Sequence, residues 1–188
     1  RIEYHKGDYS FPKNEEQSFE ISVGAILTQN TTWKNVEHAI INLHRANIMT
    51  PHAILTTDTS TLRTLIKPAG YFNQKTRKLR EFAAYSGTLT RDKLLNLWGI
   101  GPETADSILL YAHHQPFFVI DAYTKRVMHH LGFPEHTYDD LQTRFTTTLP
   151  QKTALYNEFH ALFVAIGKTM CTTPHPCGTC TFCHLFGQ

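Results

Sequence analysis

Leu94-Leu-Asn-Leu-Trp-Gly-Ile-Gly-Pro-Glu-Thr-Ala-Asp-Ser-Ile-Leu-Leu110 holds two helical patterns separated by the turn Gly99-Ile100-Gly101. Two glycines permit positive φ and carry no side chains, so backbone N–H groups can approach an anion closely, and the second helix presents the positive end of its dipole to the same point. On that reading Gly99, Ile100, Gly101 and Thr104 grip a phosphate without reading sequence. A tight helix-turn-helix connection with no ligand satisfies the same pattern.

Outward from this turn, apolar residues recur mainly at helical spacing: Phe19, Val23, Ile26, Leu27; Val36, Ala39, Ile40, Leu43; and Leu155, Phe159, Leu162, Phe163, Ile166. Thr50-Pro51, Thr59, Thr90 and Thr137 read as helix starts, and Pro68-Ala-Gly70, Gly87 and Gly132 as stops. The pattern predicts an all-α fold of about nine or ten short helices. Phe117 to Ile120, between Pro116 and Asp121, is the one strand-like run.

The chain has 188 residues, is 41% hydrophobic, carries a net charge of +2 and begins without Met. That length can bury a core in one domain or two small ones. Neither a membrane-spanning apolar run nor a signal-peptide core is visible, so the expected setting is the cell interior. Between Lys67 and Lys93 stand seven basic residues (Lys67, Lys75, Arg77, Lys78, Arg80, Arg91, Lys93) against Glu81 and Asp92. Such a run can track phosphates or form a solvated helix face. All four cysteines fall in the last eighteen residues, a placement that points to one site rather than a disulfide framework.

The hairpin, followed by Val119-Ile-Asp-Ala-Tyr-Thr-Lys-Arg-Val127 and preceded by Leu27-Thr-Gln-Asn-Thr31 and Gly70-Tyr-Phe-Asn-Gln-Lys75, resembles the endonuclease III superfamily of helix-hairpin-helix DNA glycosylases. The bacterial 3-methyladenine DNA glycosylase III branch is the most similar. The resemblance spans roughly residues 18 to 183. It implies a two-lobed helical fold: a barrel with the hairpin over 20–115, and a second lobe from 1–19 and 116–188. Double-stranded DNA carrying a damaged base would enter between the lobes of a monomer.

The same resemblance assigns roles. Cleaving an N-glycosidic bond builds positive charge on the sugar, which a buried, ionised carboxylate stabilises. Asp121 stands at the family's catalytic position, where it is also well suited to cap a helix over Ala122 to Leu131. Bifunctional members carry a lysine two residues after the second hairpin glycine, and here Glu103 stands there. A carboxylate forms no imine, so the expectation is base excision without strand cleavage, with Glu103 positioning the base or polarising water. Gln29 and Tyr71 match hole-filling and wedging positions, with Lys75 beside them on the DNA side. Trp33 and Phe11-Pro12 are candidate pocket walls, or core. An aromatic pocket suits an electron-poor alkylated purine such as 3-methyladenine. A mismatched uracil or thymine as substrate, a lyase using a lysine from elsewhere (Lys125 is nearest to Asp121 in sequence) and a non-catalytic damage-binding module are the alternatives.

Cys171-x5-Cys177-x2-Cys180-x2-Cys183 places four thiols in thirteen residues. The resemblance implies a structural [4Fe–4S] cluster there, although the first and last intervals are shorter than the family's usual ones. A Zn²⁺ site recruiting His175 or His184 is the alternative. The pairs His113-His114 and His129-His130 lack ligand spacing and read as surface or core-edge residues.

Overall fold

The computed structural model of the protein describes residues 11–172 and 184–185. Its elements are α1 (Glu15–Leu27), α2 (Trp33–Arg45), α3 (Pro51–Thr56), α4 (Thr59–Ile66), a 3-10 turn (Lys67–Ala69), α5 (Phe72–Ala84), α6 (Arg91–Leu95), α7 (Pro102–Ser107) running into a π turn (Ile108–Ala112), α8 (Ala122–His130), α9 (Tyr138–Thr148) and α10 (Thr153–Thr169). The fold is all-α, as expected.

Local chemistry sets the helix starts. Asn14, Thr50, Asp58, Thr90, Asp121 and Thr137 each accept a first-turn backbone N–H with the side chain, a cap worth about 1 kcal/mol. Thr59 is thus the first residue of α4, and Asp58 is its cap.

The chain forms two compact units, Arg1–His114 and Gln115–Gln188. The expected lobe boundary at residue 20 falls inside α1. That helix packs on α2, α5, α7 and the π turn, so residues 11–19 belong with the first unit rather than the second lobe. The core of the first unit gathers Val23, Ile26 and Leu27 of α1, Val36, Ile40 and Leu43 of α2, Leu79 of α5 and Ile108 to Leu110 of the π turn, all buried. Between α6 and α7, Arg91 Nε and Nη2 donate to Asp106 Oδ1 (2.8 Å) and Oδ2 (3.1 Å), and the Asp106 side chain is 0% exposed.

In the second unit, Phe117 to Ile120 is not a strand, since no partner strand exists among the described residues. It is a connection without regular secondary structure, buried from Phe118 to Ile120. Phe118 stacks on Phe145 with ring centroids 4.0 Å apart and meets the Tyr156 ring edge-on at 5.1 Å. Gln142 Nε2 donates to the Phe118 carbonyl (2.8 Å), and the Ile120 N–H donates to the Tyr138 hydroxyl (3.4 Å). Strand-like composition here reflects burial on both sides. No described helix is long and apolar enough to cross a membrane.

Asp106→Ala leaves the Arg91 guanidinium without its carboxylate, and we expect a loss of about 3 kcal/mol in unfolding free energy. Urea denaturation of the two proteins checks this, and an unchanged midpoint would show that the ion pair does not brace the hairpin.

Candidate functional site

The hairpin turn joins α6 to α7 through two glycines with different reasons to be glycine. Gly99 has φ +78°, a conformation that favours glycine, and a Cβ there would lie 2.5 Å from Cε of the Lys78 side chain that covers it. Gly101 caps α7 with φ −94° and ψ 177°, which any residue adopts, and nothing lies within 4 Å of where its Cβ would be. Space kept clear at the start of a helix, beside amides that lack intrahelical acceptors, is what an incoming phosphate needs. Ile100 is buried, and its N–H donates to the Leu97 carbonyl (3.2 Å), so its side chain and amide anchor the turn.

The Thr104 side chain has a partner inside the protein. It is buried, and its hydroxyl accepts from Gln29 Nε2 (2.9 Å). The same amide reaches the Gly99 carbonyl (3.4 Å), while Lys78 Nζ donates to Gln29 Oε1. Gln29 is therefore held half-buried against the hairpin. Lys78 lies over Gly99, and burial lowers the pKa of its ammonium. Lys78 was legible only as one basic residue in a run.

Lys75 is corrected more sharply. Its side chain is 1% exposed, and Nζ donates to the carbonyls of Leu27 (2.8 Å) and Ala69 (2.7 Å). Burial, with the Lys78 charge adding to it, pulls its pKa down to about 8. An ammonium so enclosed meets no phosphate; it ties the residue before Thr28-Gln29 to the residue before Gly70-Tyr71. Tyr71 itself is 63% exposed, in the left-handed region at φ +45°. Asn30, beside Gln29, is likewise left-handed at φ +54°. Non-glycine backbone with positive φ thus occurs in both loops, two or three residues beyond a carbonyl that Lys75 bonds.

Glu103 is exposed in the first turn of α7. Trp33 opens α2, half-exposed, with its ring against Gly24 and Nε1 donating to Glu37 Oε1 (3.0 Å). Phe11 is half-buried and Pro12 buried, the Pro12 carbonyl accepting from His114 Nε2 (3.4 Å).

In the second unit, the connection from Phe117 ends at Asp121, the cap of α8, whose Oδ1 accepts the Thr124 N–H (2.7 Å). Its Oδ2 lies 3.5 Å from His160 Nε2 of α10, the two side chains being 13% and 14% exposed. Burial pushes the Asp121 carboxyl upward, but His160 and the bonds to Thr124 outweigh it, leaving the pKa below the usual carboxylate range. Asp121 is a carboxylate at neutral pH. His160 was not anticipated; the signal was its place on the stripe Tyr156, His160, Phe163, Gly167, which α10 turns inward.

Of the four cysteines, Cys177, Cys180 and Cys183 lie outside the described residues. Cys171 is buried just after α10, its sulfur 2.9 Å from His130 Nδ1 and its carbonyl accepting from Arg126 Nε (2.7 Å). A buried sulfur on pinned backbone fits a ligand position. His130 is thus buried, contrary to the surface or core-edge expectation.

Residues 23–151 match the family described as HhH-GPD superfamily base excision DNA repair protein. A Methanocaldococcus jannaschii protein named as a DNA repair glycosylase is 40% identical over 183 residues, 88% of this chain and 83% of the relative. The solved structure of an H. pylori 3-methyladenine DNA glycosylase bound to 1,N6-ethenoadenine matches with a TM-score of 0.72 at 29% identity, covering 80% of this chain and 84% of that one. A non-covalent endonuclease III–DNA complex shares the fold, with a TM-score of 0.77 at 22% identity over 90% and 82% of the two chains.

Gly101→Ala is expected to unfold at the wild-type temperature yet bind duplex DNA about tenfold more weakly, the worth of one charge-assisted backbone contact. Calorimetry and fluorescence anisotropy measure the two, and undiminished affinity would remove the turn from the interface. Lys75→Met strips two buried carbonyls of their donor, so we expect about 2 kcal/mol or more of lost stability in urea. If Lys75→Met instead keeps its stability and loses affinity with a shallower salt dependence, the lysine is a phosphate contact after all.

Proposed function

This chain belongs to the HhH-GPD superfamily of base excision DNA repair proteins and is a DNA N-glycosylase, and we propose that it is a monofunctional one, acting as a monomer on an alkylated purine such as 3-methyladenine and leaving an abasic site. The observation that carries this reading is Asp121, a mostly buried carboxylate kept ionised at the start of α8. In the proposed reaction the bond from C1′ to the base nitrogen breaks and its electron pair leaves with the base. Positive charge spreads over the sugar beside Asp121, and a water oxygen then bonds to C1′ and gives up its proton.

A cationic alkylated base departs neutral and so needs no strong acid, which matches a site resting on one carboxylate. Trp33 and Phe11-Pro12 would supply the apolar and aromatic walls that such a base favours. The similarity to the H. pylori enzyme supports the same substrate class. Glu103, at the family's lyase position, supports hydrolysis without strand cleavage. Extruding the base costs a few kcal/mol, to be offset by Gln29, released from the hairpin, and by Tyr71 entering the duplex. Cys171, Cys177, Cys180 and Cys183 would hold a [4Fe–4S] cluster, or Zn²⁺ as the alternative; bound there, the group orders the chain around it and takes no part in the chemistry.

Methylated duplex DNA incubated with the wild type should release 3-methyladenine, with the phosphodiester backbone intact until heated in alkali. Asp121→Asn should lower release by about 10³-fold or more while binding DNA normally. Release undiminished in Asp121→Asn, or a covalent enzyme–DNA species trapped by borohydride, would overturn the essential carboxylate or the monofunctional mode respectively.

A further inference from the structure

The proposed reaction asks two things of Asp121: charge before the sugar becomes positive, and a fixed orientation. The Thr124 amide holds Oδ1 from within α8. The other oxygen faces α10, the helix packed most closely on α8, whose Gly167 backbone lies against the Tyr123 ring. There the facing side chain is His160, with Nε2 at 3.5 Å from Oδ2. We propose that His160 is a positioning residue for Asp121, fixing the rotamer of its carboxylate before the sugar cation develops. This inference rests on the reading of Asp121 as the essential carboxylate.

The lysines and arginine nearby are occupied elsewhere. Lys125 of α8 is turned over the Tyr138 ring of α9 (6.0 Å), Arg126 donates to the Cys171 and Gly167 carbonyls, and Lys168 of α10 lies over Tyr123 (5.8 Å). The buried phenol of Tyr156, one turn before His160 on α10, carries no charge near neutrality, since burial raises its pKa. Thr124 and His160 are the groups that lower the pKa of the Asp121 carboxyl against its burial.

The length of the contact has meaning beside the other buried carboxylate. Asp106 is held by two short bonds from an arginine that never loses its charge. Such a pair is neutralised for good and has nothing left for a passing cation. The 3.5 Å contact from His160 to Asp121 is longer than an ordinary N–H···O bond. It orients the carboxylate while leaving most of its field for the sugar. A histidine, unlike an arginine, need not compete with that sugar as a permanent cation.

The test uses the full chain. In single-turnover release from methylated duplex DNA, His160→Leu should slow the rate constant about tenfold, with unchanged affinity for a duplex containing a tetrahydrofuran abasic analogue. The acid limb of its rate–pH profile should move to higher pH, and carbon-13 NMR should show the Asp121 carboxyl titrating higher. His160→Gln, which keeps an N–H donor of similar reach, should recover most of the rate. Should the leucine variant fold poorly, the glutamine and asparagine variants carry the same measurements. A wild-type rate and an unmoved Asp121 titration in His160→Leu overturn the inference, as does a glutamine variant no faster than the leucine one. If Asp121→Asn is inactive while His160→Leu is normal, only this inference falls; if Asp121→Asn still releases base, the reading beneath it falls.

Discussion

A grip made of backbone has no side chains with which to adjust its fit, so whatever carries it has to be rigid. The bidentate pair between Arg91 and the buried Asp106 supplies that rigidity by closing α6 onto α7 behind the glycine turn. Breaking such a pair is expensive because a charge would be left in a low-dielectric interior. Lys75 applies the same device to the two loops: one enclosed ammonium donates to a carbonyl ahead of each and sets their spacing. The first unit therefore spends its buried charge on holding irregular backbone in place.

The second unit treats charge differently. Phe118, stacked on Phe145 and enclosed by Tyr156, fixes the segment that leads to Asp121. The carboxylate at the end of that segment is capped and oriented, but it is not neutralised by a permanent cation. In a low-dielectric setting an ionised group is costly unless something stabilises it. The amide of Thr124 and the long contact to His160 do so while leaving attraction to spare. The carboxylates of Asp106 and Asp121 thus differ in whether a permanently charged partner uses up the charge, and the proposed function draws on the one whose charge is left.

Much of this was legible in the sequence. Periodicity and caps gave the all-α class and most helix starts, since those signals act within four residues of chain. Asp121 could be read both as cap and as carboxylate, and it is both in geometry. What escaped depended on side-chain partners distant in sequence. Nothing near Lys75 announces that its ammonium lies beside Leu27, 48 residues away. Nor does the hairpin motif announce that Ile100 and Thr104 are buried or that the Thr104 hydroxyl holds Gln29. The run Phe117 to Ile120 reads as a strand because burial on both sides selects the same residues whether or not a sheet is present. His160 was recoverable in principle, as a polar residue on an inward stripe, but a stripe does not say what the helix faces.

The basic run changes meaning once its partners are known. Lys75 is enclosed, Arg77 lies over the Trp98 ring, Lys78 holds Gln29, Arg80 donates to the Thr57 carbonyl and Arg91 grips Asp106. Five of its seven cations thus have internal partners, and what looked like a track for phosphates is largely a means of fixing helices and turns. Their charge still adds to the field around the first unit, but a head group already bonded inside the protein does not displace a counterion from DNA one for one. With a net charge of only +2 over the whole chain, attraction to the duplex has to lean on helix dipoles, exposed amides and fit. Gly101 stands apart within this turn: neither its φ nor any neighbouring atom requires glycine.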